Sequence, residues 1–544
     1  MSVLVVGCGA IGLGARCRGE TAQMTFSFQN IEQAKTKLNG CDTSVFIDIG
    51  SSFRSFTREL KVNAFRHIRD LTLTFEHPVT VIAGTNTIGK TSLLLLLACS
   101  HEQFMKLDST SPSPSMRAHA WKDVLSFTAH ETVDTDYSYE MKWRVGRKNL
   151  SGTGKRLASS AAWSGLGKKS SDAKRTNAKI RDREVRLVDL ERVLPGRSFT
   201  RALMEKANSA TAVRLDPEIE QAFAYVFGLV SVEISEVGGH INKRCFLVQE
   251  SGRSYSTYNA ASGQESVIYL LKDLIESPND SLILIDEVEA GFHPSVQRKL
   301  ADVIQYVSWR DKKQFIVTTH SPTLLSAFPA KSRRFIETTS AGYRVIAGIS
   351  HQAARSKMDS TGYPLVRLYC ADDLAAYLVK KALVRIGQSH PYASRLVNIV
   401  TSGTIDQVKN DYERHKRNYL QYTNRIGYCA VFDGDHKDHP HYSGYLGNPA
   451  ERAVFLYPYE APEKFLVRSF LNDHPHAELR SALEHGDHHS LFQAMVNFGL
   501  AADTADARSQ CYVSFQGASE YTKHDADLQE FLTNVLTEFS YMPD

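Results

Sequence analysis

A glycine-rich motif at positions 84–91 constrains the fold of this 544-residue chain more than any other feature. An apolar run at 79–83 precedes the motif and a helix-forming run at 92–98 follows it. Glycines in such a strand–loop–helix setting let the backbone wrap around a phosphate chain with its N–H groups turned inward. We therefore expect a nucleoside triphosphate, ATP, to bind here. The residues expected to hold it are Gly84, Asn86, Gly89, Lys90, Thr91 and Ser92.

A second set of nucleotide-handling residues follows far downstream. The apolar strand-like run 281–285 ends in Asp286 and Glu287, the pattern of a Walker B element. Lys90 is expected to reach the β- and γ-phosphates. Thr91 and Asp286 are expected to hold Mg²⁺, and Glu287 to polarise the attacking water.

Two further segments complete the predicted ATP site. The β-rich run 314–319 delivers His320, a residue that can sense the γ-phosphate. Between the phosphate loop and Walker B, a turn opens the apolar helix predicted at 267–275. The residues of that turn are Ser262, Gly263 and Gln264.

These motifs, in this order, resemble the ABC-type ATPases of the SMC, RecF and OLD (overcoming lysogenization defect) group. The segment 285–294 is similar to the D-E-x-E-x-x-x-H-P signature of the OLD-like branch, and the resemblance covers residues 58–346. It implies an α/β ATPase head in which the Ser262 turn contacts ATP bound by a second subunit. Hydrolysis would then need a homodimer or a higher even oligomer.

Composition and charge place few limits on function. Hydrophobic residues make up 42% of the chain and charged residues 23%, both ordinary for a large globular protein with two or three domains. The eight cysteines form no C-x-x-C pair, which argues against a zinc ribbon or a disulfide framework and suits a cytoplasmic location. No apolar stretch reaches the roughly 18 residues that cross a bilayer, so no membrane partner is expected.

The first residues carry a misleading pattern. Positions 3–12 read as a strand followed by G-x-G-x-x-G, the dinucleotide fingerprint. Gly14, Arg16, Arg18 and Gly19 interrupt the helix that this fingerprint needs next, and no cationic residue precedes the apolar run as in a signal peptide. We interpret residues 1–23 as a loose extension or as the product of a start upstream of Met24.

The ATPase head is predicted to consist of an N-lobe at 24–104 and a C-lobe at 216–348, separated by a basic insert at 105–215. Alternating apolar residues at 58–75 predict an opening hairpin in the N-lobe. Within the insert, residues 142–186 hold 14 Lys and Arg against three acids, while the whole chain is only +4. Such a local cluster favours contact with nucleic acid backbone, although a solvated charged loop is the alternative.

A second α/β unit is predicted at 349–470. A strand at 365–370 precedes Asp372 and Asp373, and a strand at 426–432 ends in Asp433 and Asp435. Alternate residues of a strand point the same way, so a D-x-D pair can share a divalent cation. A strand-ending turn is the alternative. The histidines at 436, 439 and 441 favour a polar loop over a metal site, and residues 471–544 are predicted to be mostly helical.

This unit resembles a Toprim domain, the metal-dependent fold of topoisomerases, primases and OLD nucleases. Residues 371–378 are similar to the E-D-x-L-A-x-x-Y-L pattern of OLD-type Toprim domains, with one residue fewer before the tyrosine and with Ala371 in the position of the glutamate. The resemblance implies Glu463 as a further Mg²⁺ or Mn²⁺ ligand and Lys464 facing the scissile phosphate. Because a methyl group can neither bind metal nor move a proton, the centre is either naturally degenerate or deliberately inactivated.

These expectations combine into three functional hypotheses. In the first, an OLD-like antiphage ATPase dimer controls a Toprim nuclease that cleaves nucleic acid. In the second, the Toprim domain is a pseudoenzyme, and the ATPase is a sensor or scaffold that holds a separate toxic effector. In the third, the protein is a RecF- or SMC-like DNA-repair ATPase, which needs no carboxylate site.

Overall fold

A computed structural model of the protein describes most of the chain. The described residues are 26–48, 51–85, 87–108, 115–127, 130, 135–159, 161–169, 178–193, 211–237, 245–259, 262–359, 363–387, 390–422, 425–448, 450–456 and 460–541. The predicted extension at 1–23 and the predicted ATP ligand Asn86 lie outside them.

The described residues form four β-sheets and a set of helices. The strands are β1 Ser55–Phe65, β2 Ile68–Thr74, β3 Val79–Gly84, β4 Phe104–Asp108, β5 Ser115–Ala118, β6 Tyr137–Val145, β7 Lys148–Arg156, β8 Trp163–Gly165, β9 Val185–Val188, β10 Ala212–Arg214, β11 Glu233–Val237, β12 Cys245–Glu250, β13 Arg253–Ser256, β14 Leu282–Ile285, β15 Gln314–Thr319, β16 Arg333–Thr339, β17 Gly342–Ala347, β18 Val366–Cys370, β19 Val397–Thr401, β20 Gly427–Phe432 and β21 Ala453–Phe455. The α-helices are α1 Phe28–Gly40, α2 Ser44–Ile47, α3 Lys90–Cys99, α4 Trp121–Val124, α5 Pro217–Phe227, α6 Ser262–Glu276, α7 Pro294–Asp311, α8 Pro322–Ser326, α9 His351–Met358, α10 Asp373–Ile386, α11 Ala393–Leu396, α12 Ile405–Asn418, α13 Pro462–Asp473, α14 Ala477–His485, α15 Leu491–Asn497, α16 Thr504–Gln516 and α17 Ser519–Tyr541.

The largest sheet has eight strands in the order β17-β16-β3-β15-β14-β9-β4-β5. Its central strands β16, β3, β15, β14, β9 and β4 run parallel, and the edge strands β17 and β5 are antiparallel to their neighbours. Every residue of β3, β14 and β15 is buried. Continuous apolar runs of this kind are typical of parallel strands covered on both faces.

Helix α3 follows the phosphate loop directly and lies inside the head. Its leucine-rich sequence is apolar on all sides, and nine of its residues are buried, including Lys90 and Ser92. A helix with no polar face is stable only when other elements surround it. Burial of α3 therefore fixes the phosphate loop to the core of the large sheet.

A five-stranded sheet, in the order β2-β1-β6-β7-β8, covers one side of the head. The opening hairpin predicted at 58–75 is confirmed as β1 and β2, which pair antiparallel. The two sheets are joined through Gln314, whose side-chain oxygen accepts from Thr57 N at 2.8 Å and whose amide donates to Thr57 O at 2.9 Å.

The predicted insert at 105–215 is wrong as a separate segment. Strands β4, β5 and β9 come from this range or its edge and belong to the large sheet, while β6, β7 and β8 extend the sheet begun by β1. The physical reason is strand pairing. One edge of β1 is not covered by β2, and β6 pairs with that edge along most of β1, which satisfies the backbone hydrogen-bonding groups there.

Much of the basic cluster at 142–186 is also used inside the protein. Arg144 and Arg183 are buried and donate to backbone carbonyls, Arg144 to Gly146 O at 2.9 Å and Arg183 to Ser55 O at 3.2 Å. Lys142 pairs with Glu59 at 2.9 Å. Among the described basic residues of the cluster, Arg147, Lys148, Lys155 and Lys168 are exposed, and the exposed Lys169 and Arg181 both pair with Glu102.

The C-terminal unit is built on a four-stranded parallel sheet in the order β19-β18-β20-β21. Helix α10 follows β18 and helix α12 follows β19, so the chain alternates between strands and helices. Gly427 begins β20 against the C-terminal helix α17, where an added Cβ would lie 2.6 Å from a ring carbon of Phe539. The helical segment predicted at 471–544 is present as α14 to α17 over its described residues.

The two parts of the chain meet at helix α9. Glu337 of strand β16 is buried and pairs with Lys357 of α9 at 2.9 Å. Ser350 N, at the start of α9, donates to Ser540 O of α17 at 2.9 Å. Across the described residues, every helix is too short or too polar to cross a lipid bilayer.

Candidate functional site

The parallel strands of the large sheet bring the predicted ATP-site segments to one edge. Ala83, next to the phosphate loop, aligns with Thr319 of β15, and Val317 of β15 aligns with Ile285 of β14. The residues that follow these strands therefore meet at the carboxyl ends of the strands. Ligands of open parallel sheets bind at this end.

Thr91 and Asp286 are in direct contact. Thr91 Oγ1 donates to Asp286 Oδ2 at 2.8 Å, and Thr318 Oγ1 donates to Asp286 Oδ1 at 2.6 Å. Asp286 is buried and both of its oxygens are held in place. Hydroxyl and carboxylate oxygens are the ligands that Mg²⁺ prefers, so the donor set fits the predicted cation.

Lys90 turns back over its own loop. Its Nζ donates to Gly84 O and to Thr85 O, both at 3.1 Å, and the side chain is buried. Burial lowers the pKa of Lys90 to about 8, against the opposing effect of Glu287 and Asp286. The ammonium is thus held over the cradle that the loop forms, where a phosphate would meet it.

Two glycines are required by the shape of the loop. Gly89 caps helix α3 with a φ of 95°, in the left-handed region that favours glycine, and a Cβ there would lie 2.6 Å from a carbon of Ile68. At Gly84 a Cβ would lie 2.5 Å from the carbonyl oxygen of Ile336. Both positions therefore exclude any side chain.

Glu287 and His320 face each other beside this loop. Glu287 Oε1 lies 3.8 Å from His320 Nε2, and the side chains are 38% and 32% exposed. Burial, with the nearby Lys90 cation, lowers the pKa of His320. Glu287 has a positive φ of 45° and its backbone N–H donates to Thr318 Oγ1 at 2.9 Å, which fixes an otherwise strained conformation.

Sequence reasoning gave no role to Glu289, although the residue lies within the Walker B motif. Its carboxylate accepts from Thr319 Oγ1 at 2.8 Å and from the backbone N–H of His320. The spacing D-E-x-E is the signal that could have identified it. Glu289 positions the histidine.

Sequence reasoning also gave no role to Arg192. The structure places its buried guanidinium beneath the Walker B turn, where it donates to Asp286 O at 3.0 Å and to Glu287 O at 2.6 Å. Two donors from one rigid fork fix the backbone of both acidic residues. Arg192 is therefore a positioning residue for Asp286 and Glu287.

The remaining predicted ATP ligands lie close to the site or open a helix. Ser92 is buried in α3 and its hydroxyl accepts from Arg66 at 3.2 Å. Ser262, Gly263 and Gln264 form the first turn of α6, and an added Cβ on Gly263 would lie 3.1 Å from Gly291 O. The predicted contact of this turn with ATP on a second subunit remains a prediction.

A second group of ionisable side chains lies at the carboxyl ends of β18 and β20. Burial, together with the negative charges of Asp372, Asp435 and Glu463, raises the pKa of Asp433 to about 8. Asp433 Oδ1 is buried and makes no hydrogen bond. Four carboxylates are therefore brought together, and an oxygen without a hydrogen bond fits the ligand set of a divalent cation.

The other predicted residues of this unit have different surroundings. Asp372 caps helix α10 by accepting from Ala375 N at 2.8 Å, and the adjacent Asp373 is exposed on its first turn. Asp373 is not among the charges that raise the pKa of Asp433. Lys464 is half-buried in the first turn of α13, directly after Glu463.

The residue that breaks the predicted carboxylate pattern is buried. Ala371 is 8% exposed at the end of β18, and its carbonyl accepts from Gly403 N at 2.9 Å. Sequence reasoning also missed His488 and His489, which approach Glu463 from the segment after α14. No motif marks these two histidines.

Comparison with known proteins supports the first of these sites. Residues 79–326 match the family described as "AAA domain, putative AbiEii toxin, Type IV TA system". The protein named "Retron Vc95 probable ATPase" from Vibrio cholerae serotype O1 biovar El Tor is 23% identical over 160 residues. That match spans 26% of this chain and only 30% of the Vibrio protein.

Solved structures of SMC heads are similar to part of the chain. The SMC head domain from Thermotoga maritima has a TM-score of 0.31 at 11% identity, covering 54% of this chain and 98% of that one. The Smc head domain from Pyrococcus furiosus, solved with a C-terminal domain of ScpA, has a TM-score of 0.34 at 10% identity, covering 54% and 96%.

The family match and the geometry agree on one conclusion. Residues 79–326 contain the phosphate loop, Asp286, Glu287 and His320, and they form an AAA-type ATPase domain with an α/β P-loop fold. A domain of this type uses a nucleotide and usually Mg²⁺.

Proposed function

We propose that this protein is an ATP-binding and ATP-hydrolysing defence protein of the OLD type, whose paired ATPase heads control a Toprim-like, metal-dependent nuclease site. The ATPase domain is the premise of this proposal. The motif resemblance to OLD proteins supports the defence role, and so does the partial similarity to a retron's probable ATPase.

The single observation that carries the ATPase part is the convergence of Lys90, Thr91, Asp286 and Glu287 on one end of the large sheet. Thr91 and Asp286 would hold Mg²⁺, which neutralises phosphate charge when bound. Lys90 would bind the phosphates, and Glu287 would orient and deprotonate a water with His320 beside it.

Dimerisation is part of the proposal because Glu287 and His320 are both about one-third exposed, so this side of the site is open in a single chain. A partner's α6 turn would close it and exclude water. Steady-state ATP turnover measured over a range of protein concentrations tests this. Turnover per chain should rise with concentration, and turnover independent of concentration in the dissociated range would contradict the dimer requirement.

The nuclease part of the proposal rests on the carboxylates around Asp433. Asp372, Asp433, Asp435 and Glu463 offer hard oxygen ligands, and the orphaned Oδ1 of Asp433 points to a cation that is needed to balance them. Asp372, Asp433 and Asp435 would hold Mg²⁺ or Mn²⁺, which would supply Lewis-acid activation of a phosphodiester. Lys464 would contact the phosphate, and the exposed Arg147, Lys148, Lys155 and Lys168 are candidates for nucleic-acid backbone contacts.

A plasmid-nicking assay with Mn²⁺ tests the nuclease part directly. The chain should be compared with Ala371→Glu, and with Asp433→Asn as the matched loss of a ligand. Cleavage that appears or rises in Ala371→Glu, and that Asp433→Asn abolishes, would support a disabled nuclease centre. Silence in all three proteins would contradict the cleavage proposal.

A second function is favoured by one observation, the buried Ala371 in the glutamate position. In that case the Toprim-like unit is a pseudoenzyme, and the ATPase holds and releases a separate toxic effector. The contact between β16 and α9 would transmit the nucleotide state to the C-terminal unit. Ile336 of β16 aligns with Gly84 of the phosphate loop, and the next residue, Glu337, pairs with Lys357 of α9. ATP-dependent release of a co-purified subunit, together with silence in the nicking assay, would favour this function.

A further inference from the structure

Glu463, His488 and His489 come together on one side of the C-terminal unit, although the two histidines carry no recognisable motif. We propose that these three residues bind a divalent transition-metal cation such as Zn²⁺ or Co²⁺. The inference goes beyond the ATPase and does not require nucleic-acid cleavage, because it rests on ligand geometry alone.

The distances between the ligand atoms fit a shared ion. One ligand atom from each residue lies within 4.8 Å of the other two, and Glu463 Oε1 is 3.5 Å from His489 Nδ1. Ligands about 2.0–2.2 Å from a tetrahedral Zn²⁺ lie about 3.4 Å from each other. Small rotations of the imidazoles, which are on the surface side, therefore suffice to close the site.

The carboxylate is the anchor of this site. Glu463 is only 6% exposed, in the first turn of α13. Among the described residues, its only ion pair is with His489, and no lysine or arginine forms an ion pair with it. The surroundings of this buried carboxylate, two imidazoles and the nearby Asp372, contain too little positive charge to balance it. A divalent cation would supply that charge.

The two histidines lie in a turn that Asp487 caps. This short turn is His488–Ser490, and Asp487 accepts from His489 N at 3.3 Å. Asp487 Oδ1 also lies 3.8 Å from His488 Nδ1, so this carboxylate is near one ring nitrogen and Nε2 of that ring is left for a metal. Carboxylates that orient the second ring nitrogen are the usual support for metal-binding histidines.

The type of ligand predicts the type of metal. Imidazole favours Zn²⁺, Cu²⁺, Fe²⁺ and Ni²⁺, whereas Mg²⁺ and Ca²⁺ take oxygen ligands. A site with two imidazoles and one carboxylate therefore differs from the neighbouring carboxylates, which suit Mg²⁺ or Mn²⁺. The two sets are adjacent, because the charges of Asp372, His488 and His489 all act on Glu463.

Co²⁺ titration of the full chain, freed of metal with a chelator and without ATP, tests the proposal. Co²⁺ bound to nitrogen ligands in a low-symmetry site has a visible absorption band, so stoichiometry and ligand type are read together. The chain is expected to bind one tight equivalent. His488→Ala/His489→Ala and, separately, Glu463→Gln should weaken it by at least roughly 10-fold, since even the supporting partners of metal ligands are worth that much.

Two control variants make the outcome decisive. His485→Ala removes an exposed histidine of the preceding helix, with 78% side-chain exposure, and should leave Co²⁺ binding unchanged. His436→Ala/His439→Ala removes the other histidine cluster and should also bind normally. If the His488 and His489 variant keeps full binding, or if only the His436 and His439 variant loses it, the proposal is overturned. Thermal unfolding of each variant, with Glu463→Gln as the near-isosteric change, separates lost ligation from lost folding.

Discussion

Thr91 Oγ1 donates a 2.8 Å hydrogen bond to Asp286 Oδ2, although 195 positions separate the two residues along the chain. The bond joins the first turn after the phosphate loop to the end of the Walker B strand. It is possible because α3 is buried against the sheet that contains β14. The fold therefore places the two predicted Mg²⁺ ligands next to each other.

Lys90→Ala should abolish ATP turnover. The substitution removes the ammonium that lies over the loop carbonyls of Gly84 and Thr85, and loss of one preorganised donor to a reacting group costs about 10²–10³-fold in rate. Phosphate release by purified protein measures it. Lys148→Ala, which removes an exposed lysine of β7, is the control and should keep normal turnover. Equal rates for both variants would contradict the assigned site.

ATP affinity should fall as the pH rises above about 8. Burial lowers the pKa of Lys90 to about 8, so the empty site loses its positive charge above that pH, and ATP binding must then take up a proton. Affinity should weaken by up to about tenfold per pH unit in that range. Calorimetric titration in two buffers of different ionisation enthalpy measures the proton uptake. Lys90→Arg keeps its charge and should bind without this pH dependence.

Glu287→Gln should bind ATP but hydrolyse it slowly. The amide cannot accept a proton from water, and loss of a general base costs about 10²–10⁴-fold in rate. We expect ATP-bound dimers to accumulate, measured by sedimentation with and without ATP. Glu484→Gln, 60% exposed on α14, is the control. Normal turnover by the Glu287→Gln protein would mean that another residue is the general base.

Arg192→Lys should lower kcat more than it raises KM for ATP. Lysine cannot make the paired donation to Asp286 O and Glu287 O, and each buried carbonyl left unsatisfied costs about 1–3 kcal/mol. A loss of about 1.4 kcal/mol in the transition state slows the reaction tenfold. Steady-state kinetics separate the two constants. A change in stability with unaltered kcat would limit Arg192 to a folding role.

The ATPase domain should lose stability in acid through His101. Burial lowers the pKa of His101 to about 3 from its ordinary value of 6.5, so the folded protein keeps the ring neutral. The contribution is fully present above pH 6.5 and is lost as the pH falls from there toward 3, because only the unfolded chain takes up the proton. The slope is at most about 1.4 kcal/mol per pH unit. Urea unfolding at several pH values should show a flatter profile for His101→Gln, and parallel profiles would exclude this residue as the cause.

Several parts of the ATP site could be read from the sequence because they depend on local chemistry. The phosphate loop, its strand and its helix are contiguous, and only glycine can take the backbone of Gly89. The acids after β14 and the histidine after β15 follow buried strands that are recognisable as apolar runs. Such patterns are visible in a single chain because neighbours in sequence are neighbours in space.

The insert at 105–215 shows where this reasoning failed. Its strands pair with partners far away in the chain, so their membership of the two sheets depends on which edge is free. Much of its positive charge is buried or paired for the same reason, as with Arg144 and Arg183. Composition alone could not distinguish a surface charge from a buried one.

The sequence by itself determined the phosphate-loop motif at 84–91 and the carboxylates at the ends of the C-terminal strands. Only the tertiary structure decided which distant groups support them: Arg192 beneath Asp286, Glu289 on the backbone of His320, and His488 and His489 beside Glu463. These contacts form when separate elements pack together, and burial then affects the charge states of the side chains involved. A sequence motif identifies residues that lie near each other along the backbone. Residues that meet only after folding have no fixed spacing in the sequence.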